Sequence, residues 1–184
     1  MNIRELGCLV LVLFTVAPTS AAVYQVRPSP NTGAGEKSLE WFNQNSAAGD
    51  IAIMSGDFSS IGGSSVTDAN SIYPYRRAGN SSARIVYAGA AGNVSTATVR
   101  AIKLWRADTG APSPDYFTIK WVTAVSTIDV YSSVNSGASY DSIYRCVALN
   151  GGTLEGLNHC TVVGNAFGSG ATTEQFAFAA RDSE

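Results

Sequence analysis

The chain has 184 residues, enough for one domain; only 14% are charged and the net charge is −2. No basic stripe runs along it, which argues against a nucleic-acid partner. Apolar residues make up 45% and there are 18 glycines, a balance that excludes a disordered tail and suits a packed β protein with many turns.

Residues 1–22 read as a signal peptide. Arg4 supplies a positive start, Leu9 to Val16 an apolar stretch far short of a membrane span, and Thr19, Ser20, Ala21 and Ala22 the small residues of a cleavage site. The remaining domain, 23–184, is then expected to be secreted or periplasmic/extracellular, with no membrane span in the mature chain. Cys146 and Cys160 are the two cysteines left after the signal. Export makes a disulfide chemically feasible, and two buried thiols packed as small hydrophobes fit the residues equally well.

Val23 to Val26 opens the domain as a strand that Pro28 and Pro30 end. Glu36 to Asn45 reads as a short amphipathic helix with Leu39 and Phe42 on one face and Trp41 beside it. Gly49-Asp50 stops this helix. Only β-rich runs follow: Asp50–Met54, Ala83–Ala88, Tyr116–Val125, Thr127–Ser132, Ser142–Leu149 and His159–Val163. Two longer excursions, Asp57 to Asn80 and Asp108 to Asp115, are expected as loops on one side, the side that binds.

Two late runs, Tyr144 to Asn150 and Asn158 to Asn165, resemble each other when Cys146 is aligned with Cys160. Alternation along a strand then turns both cysteines inward and Arg145 and His159 outward. If the two runs are stacked neighbours, Arg145 and His159 lie about 5 Å apart at their Cα atoms; if they are different sides of one coil, that relation fails. A cap helix leading into stacked strands indicates an all-β chain, a right-handed parallel β-helix. An antiparallel sandwich is the competing fold; it calls for hairpin turns, and Asn150-Gly151 is the close match.

The order of elements resembles the pectin-lyase-like superfamily of secreted right-handed β-helix proteins. The residues that carry the likeness are the cap helix, Gly49-Asp50-Ile51-Ala52-Ile53, Ser55-Gly56-Asp57-Phe58, Arg84 to Gly89 and Tyr116 to Lys120. The resemblance implies polysaccharide lyase or glycoside hydrolase activity, with catalytic groups in middle or later coils, so the chain is expected to be a C-terminally truncated, N-terminal portion. It implies an acidic polysaccharide as partner and admits Ca²⁺ as cofactor. The alternative is a non-catalytic, adhesin-like or sugar-binding module.

No catalytic set of that superfamily maps onto the chain. A uronic-acid lyase needs a positive group for the carboxylate, a base for the α-proton and an acid for the leaving oxygen. Arg145 and His159, the single histidine, are the candidates, against the commoner role of outer-face strand residues. Tyr73, Tyr75, Arg76 and Arg77 on the first excursion are the candidates for substrate contact, because aromatic faces suit sugar rings. Tyr116, Trp121, Tyr131 and Tyr140 are further aromatics, with Trp121 expected in the core. Asp129, Asp141 and Glu155 are spaced too unevenly to read as a metal site. A hydrolase pair would be Asp141 and Glu155.

Overall fold

The computed structural model describes residues 21–74, 77–104, 115–131, 140–155 and 160–168. Among them are one α-helix and fourteen strands. Residues 1–20 of the signal segment and His159, Tyr75 and Arg76 lie outside the described residues, as do 108–114 of the second excursion.

The strands form three sheets in which every ladder is parallel. The first holds β1 (Val23–Val26), β2 (Ile51–Met54), β4 (Ile85–Gly89), β7 (Phe117–Lys120), β10 (Ser142–Tyr144) and β13 (Thr161–Val163), side by side in that order. The second holds β3 (Gly56–Asp57), β5 (Ala97–Val99), β8 (Thr123–Ala124), β11 (Val147–Ala148) and β14 (Ala166–Phe167). The third holds β6 (Ile102–Leu104), β9 (Ile128–Tyr131) and β12 (Gly152–Glu155). From β5 onward the chain visits second, third and first sheet in turn, each visit adding a strand beside the last. Parallel neighbours need long connections, and an antiparallel sandwich is incompatible with these ladders. Asn150-Gly151 joins β11 to β12, which lie in different sheets, so it makes no hairpin.

Stacking in register builds the core from columns. In the first sheet Tyr87, Ile119, Ile143 and Val162 lie level with one another. In the third, Leu104 lies level with Val130. The second sheet answers with small residues, Val99, Ala124 and Ala148. Large columns on two sides thus face a small one on the third, so that large and small side chains interdigitate in the core. The sequence separation between paired strands of the first sheet is 28 residues from β1 to β2, where Val23 pairs with Ile51, and shrinks from β2 onward. Ile51 pairs with Val86, 35 residues on, Ile85 with Phe117 at 32, Thr118 with Ser142 at 24, and Ser142 with Thr161 at 19.

The expected helix forms as α1 (Leu39–Asn45), started by Ser38, whose hydroxyl accepts the Trp41 N–H at 3.0 Å. Leu39 and Phe42 are buried as expected. Phe42 meets Tyr87 edge-on at 5.0 Å and Tyr24 of β1 at 5.8 Å, so the helix packs against the outermost strand and the interior together. Asn43, on the face expected to be polar and wet, is fully buried. Its amide nitrogen donates to the carbonyls of Asp68 and Ser71, at 2.7 and 2.8 Å. Its oxygen accepts from the Tyr87 hydroxyl at 2.8 Å and from the Tyr73 N–H at 3.3 Å. One side chain thus ties helix, core and the segment after Asp57 together.

That segment corrects the expectation of a loose binding-side loop. Phe58, Asn70, Ser71 and Ile72 are buried, and Ile72 forms a parallel bridge with Ile102 that prolongs the third sheet. No described helix is long and apolar enough to cross a membrane.

Candidate functional site

Two expected continuous strands are broken. Tyr116–Val125 divides into β7 and β8 at Trp121, and Ser142–Leu149 into β10 and β11 at Arg145. Trp121 has φ 57° and Arg145 φ 48°, left-handed values that turn the chain from the first sheet into the second. Gly164, with φ 65°, occupies the same place between β13 and β14. Gly89 lies level with Trp121, and a Cβ there would run into the Trp121 carbonyl oxygen. The opposite edge of the first sheet shows the same device: Tyr116 and Tyr140, just before β7 and β10, have φ 60° and 59°.

Non-glycine residues in this region cost of order 1–3 kcal/mol each and gather at functional places. Five are found among the described residues; four of them flank the outer face of the first sheet, and each of the four carries an aromatic or cationic side chain. At one edge the Tyr116 and Tyr140 rings stack 4.8 Å apart with 2° between their planes, matching the spacing of neighbouring strands. The Arg84 guanidinium lies 6.0 Å from the Tyr116 ring and donates to the Phe117 carbonyl at 2.8 Å. At the other edge the Lys120 ammonium lies 4.7 Å from the Trp121 ring, and Arg145 is exposed. Trp121 is therefore half-buried at a corner, contrary to the core position expected for it. Between the edges the outer face presents Thr118, Lys120 and Tyr144. From Tyr116 to Trp121 the face is about 17 Å across, at ~3.3 Å per residue.

Below the tyrosine stack lies Asp141, 1% exposed. Its Oδ1 accepts the Phe117 N–H at 2.7 Å, while its Oδ2 is buried with no hydrogen-bond partner among the described residues. Burial holds this carboxyl well above the usual range; the Phe117 N–H opposes the shift, Asp115 adds to it and Arg84 opposes it.

The alignment of Cys146 with Cys160 is overturned. Ile143 pairs with Val162 and Val147 with Ala166, an offset of 19 residues instead of 14. Cys146 therefore sits level with Asn165, whose Oδ1 accepts the Cys146 N–H at 2.7 Å and whose Nδ2 donates to the Ile143 carbonyl at 2.9 Å. In this register Arg145 stands beside Gly164, and its expected stacking on His159 is withdrawn. Cys146 does face inward; burial pushes its thiol up to about 11. Neither Cys146 nor Cys160 forms a disulfide.

Of the expected contact residues, Tyr73 and Arg77 are half-buried, and the Arg77 Nε is buried without a hydrogen-bond partner among the described residues. Among the described residues no three His, Cys, Asp or Glu side chains converge. Ca²⁺ takes six to eight oxygens, several of them carboxylate, so these residues do not fit it. Asp129 is held by Lys103 at 3.5 Å and by the Thr127 hydroxyl at 2.7 Å. Asp141 precedes the first-sheet strand β10 while Glu155 ends a third-sheet strand opposite Tyr131, so their 14-residue spacing matches no strand pairing. Arg84, Lys120 and Trp121 are not legible as a group in the sequence, because they come from opposite edges of the first sheet and leave no periodic trace.

No family model, curated protein or solved structure matches the chain.

Proposed function

We propose that the three sheets wind as a right-handed parallel β-helix of the pectin-lyase-like kind, exported, whose first sheet binds an acidic polysaccharide across its outer face. The observation that carries this reading is the placement of the left-handed residues. Tyr116 and Tyr140 rim one edge of that face and Trp121 and Arg145 the other, at a conformational cost that the fold alone does not demand. Aromatic faces take the apolar sides of sugar rings, and Arg84, Lys120 and Arg145 supply positive charge for carboxylates. The face accommodates a few sugar rings in an extended chain.

The test is equilibrium binding of oligouronates and of uncharged glucans of equal length. Oligouronates are expected to bind more tightly, with affinity falling as salt rises. Tyr116→Ala is expected to weaken binding roughly tenfold, about 1.4 kcal/mol. Equal affinity for charged and uncharged oligomers, or none for either, would refute the proposal. The lyase form of this reading is separated from the binding form by incubation with alginate, pectin and chondroitin: unsaturated-product absorbance belongs to the lyase alone.

A further inference from the structure

Two aspartates occupy the same structural position in different coils. Asp50 precedes β2 and lies level with Ala22; Asp141 precedes β10 and lies level with Phe117. Each reaches back with one carboxyl oxygen to the N–H of its level neighbour, at 3.1 Å for Asp50 and 2.7 Å for Asp141. They differ at the second oxygen. The Oδ2 of Asp50 accepts the Ala47 N–H at 2.8 Å. The Oδ2 of Asp141 is buried with no acceptor role to fill, since no donor among the described residues reaches it.

A carboxylate with one satisfied oxygen and one dry one is costly, and a proton on the dry oxygen lowers that cost to that of an unpaired hydroxyl. The groups facing Asp141 do not reverse this. Asp115, ahead of β7, repels a second negative charge. Arg84, ahead of β4, attracts one, but its guanidinium is engaged with the Phe117 carbonyl. Tyr116 and Tyr140 flank it with their stacked rings. Cys160, level with Asp141 in the next coil, is a thiol.

We infer that Asp141 is a protonated latch, a positioning residue whose neutral carboxyl pins the backbone under the Tyr116–Tyr140 stack and whose ionisation releases it. The geometry gives the coupling directly. Oδ1 holds the N–H of Phe117, the residue after Tyr116, and Asp141 is itself the residue after Tyr140. One carboxyl therefore spans both stacked positions. When the proton leaves for solvent, the charged group is driven from its dry pocket and away from Asp115, and the two rings part. The inference holds whatever the corner binds.

The test is the near-ultraviolet circular dichroism of the tyrosine pair, followed in the full chain from about pH 5 to about pH 9. The wild-type signal is expected to fall as pH rises, and Asp141→Asn, which keeps the acceptor for Phe117 and carries no ionisable proton, is expected to hold it flat. A wild-type signal that does not change over this range, or an Asp141→Asn signal that falls in parallel, overturns the inference. Should Asp141→Asn fail to fold, infrared spectroscopy of the wild type at neutral pH decides. A carboxylic-acid carbonyl band supports the latch, and its absence overturns it.

Discussion

Trp121, Arg145, Tyr116 and Tyr140 hold a backbone shape that glycine takes freely, and at the Arg145 level the next coil does use glycine, Gly164. The comparison separates shape from side chain. Left-handed strain at Arg145 costs about 1–2 kcal/mol, and glycine relieves it at an entropic cost of about 0.5–1 kcal/mol. Arg145→Gly is therefore expected to leave the unfolding free energy within about 1 kcal/mol of wild type, or to raise it, while lowering oligouronate affinity three- to tenfold, ~0.7–1.4 kcal/mol. Urea denaturation and a binding isotherm on the same sample check both halves; a large loss of stability would mean that Arg145 is held for the fold. At this scale the sequence hid most of the site. Arg145 was legible as an outward residue because Cys146 and Ala148 alternate with it, but nothing in Lys-Trp-Val-Thr or Tyr-Arg-Cys-Val announces a corner. Only the assembled parallel sheets require one there.

The elements were legible where the physical signal was local. Apolar and polar residues alternating along Phe117–Lys120, and the apolar run Ile51–Met54, marked two strands, and the Leu39/Phe42 pair marked the helix. Gly56–Asp57, Ala97–Val99, Gly152–Glu155 and Ala166–Phe167 escaped notice. They are two to four residues long, too short for a period, and exist as strands because level neighbours pair with them. Asn43 escaped because a single buried asparagine on a helix looks like a wet one until its four partners are assembled from two other parts of the chain. The helix is expected to be essential to the end of the stack. Removing a buried phenylalanine ring costs about 3–5 kcal/mol, and placing a carboxylate there adds a desolvation cost. Phe42→Asp is expected to lose more than ~3 kcal/mol and to self-associate through the uncovered end strand β1, whose Val23 is 61% exposed. Size-exclusion chromatography showing an unchanged monomer would contradict this.

For the molecule as a whole, parallel β architecture was readable because one helix followed only by short β runs leaves few alternatives, whereas the spacing of the coils was not. The likeness around Cys146 and Cys160 suggested a 14-residue offset; the true one is 19, because the corner and the third-sheet strand between the two runs carry no resemblance to anything earlier. From β2 onward the span between paired strands shortens from 35 residues to 19, which bears on how the chain assembles in time. Closing a 19-residue span costs about 0.5 kcal/mol less entropy than closing one of 35. The later coils should thus zip first and serve as the template on which Val23–Val26 and the helix dock last. Pulse-labelling hydrogen exchange during refolding is expected to show the amides of Ser142–Tyr144 protected before those of Ile51–Met54, and the opposite order would show that assembly starts from the amino-terminal end. On that view the protein is born from its tightest turns outward, and its widest, most decorated windings are the last to find their place.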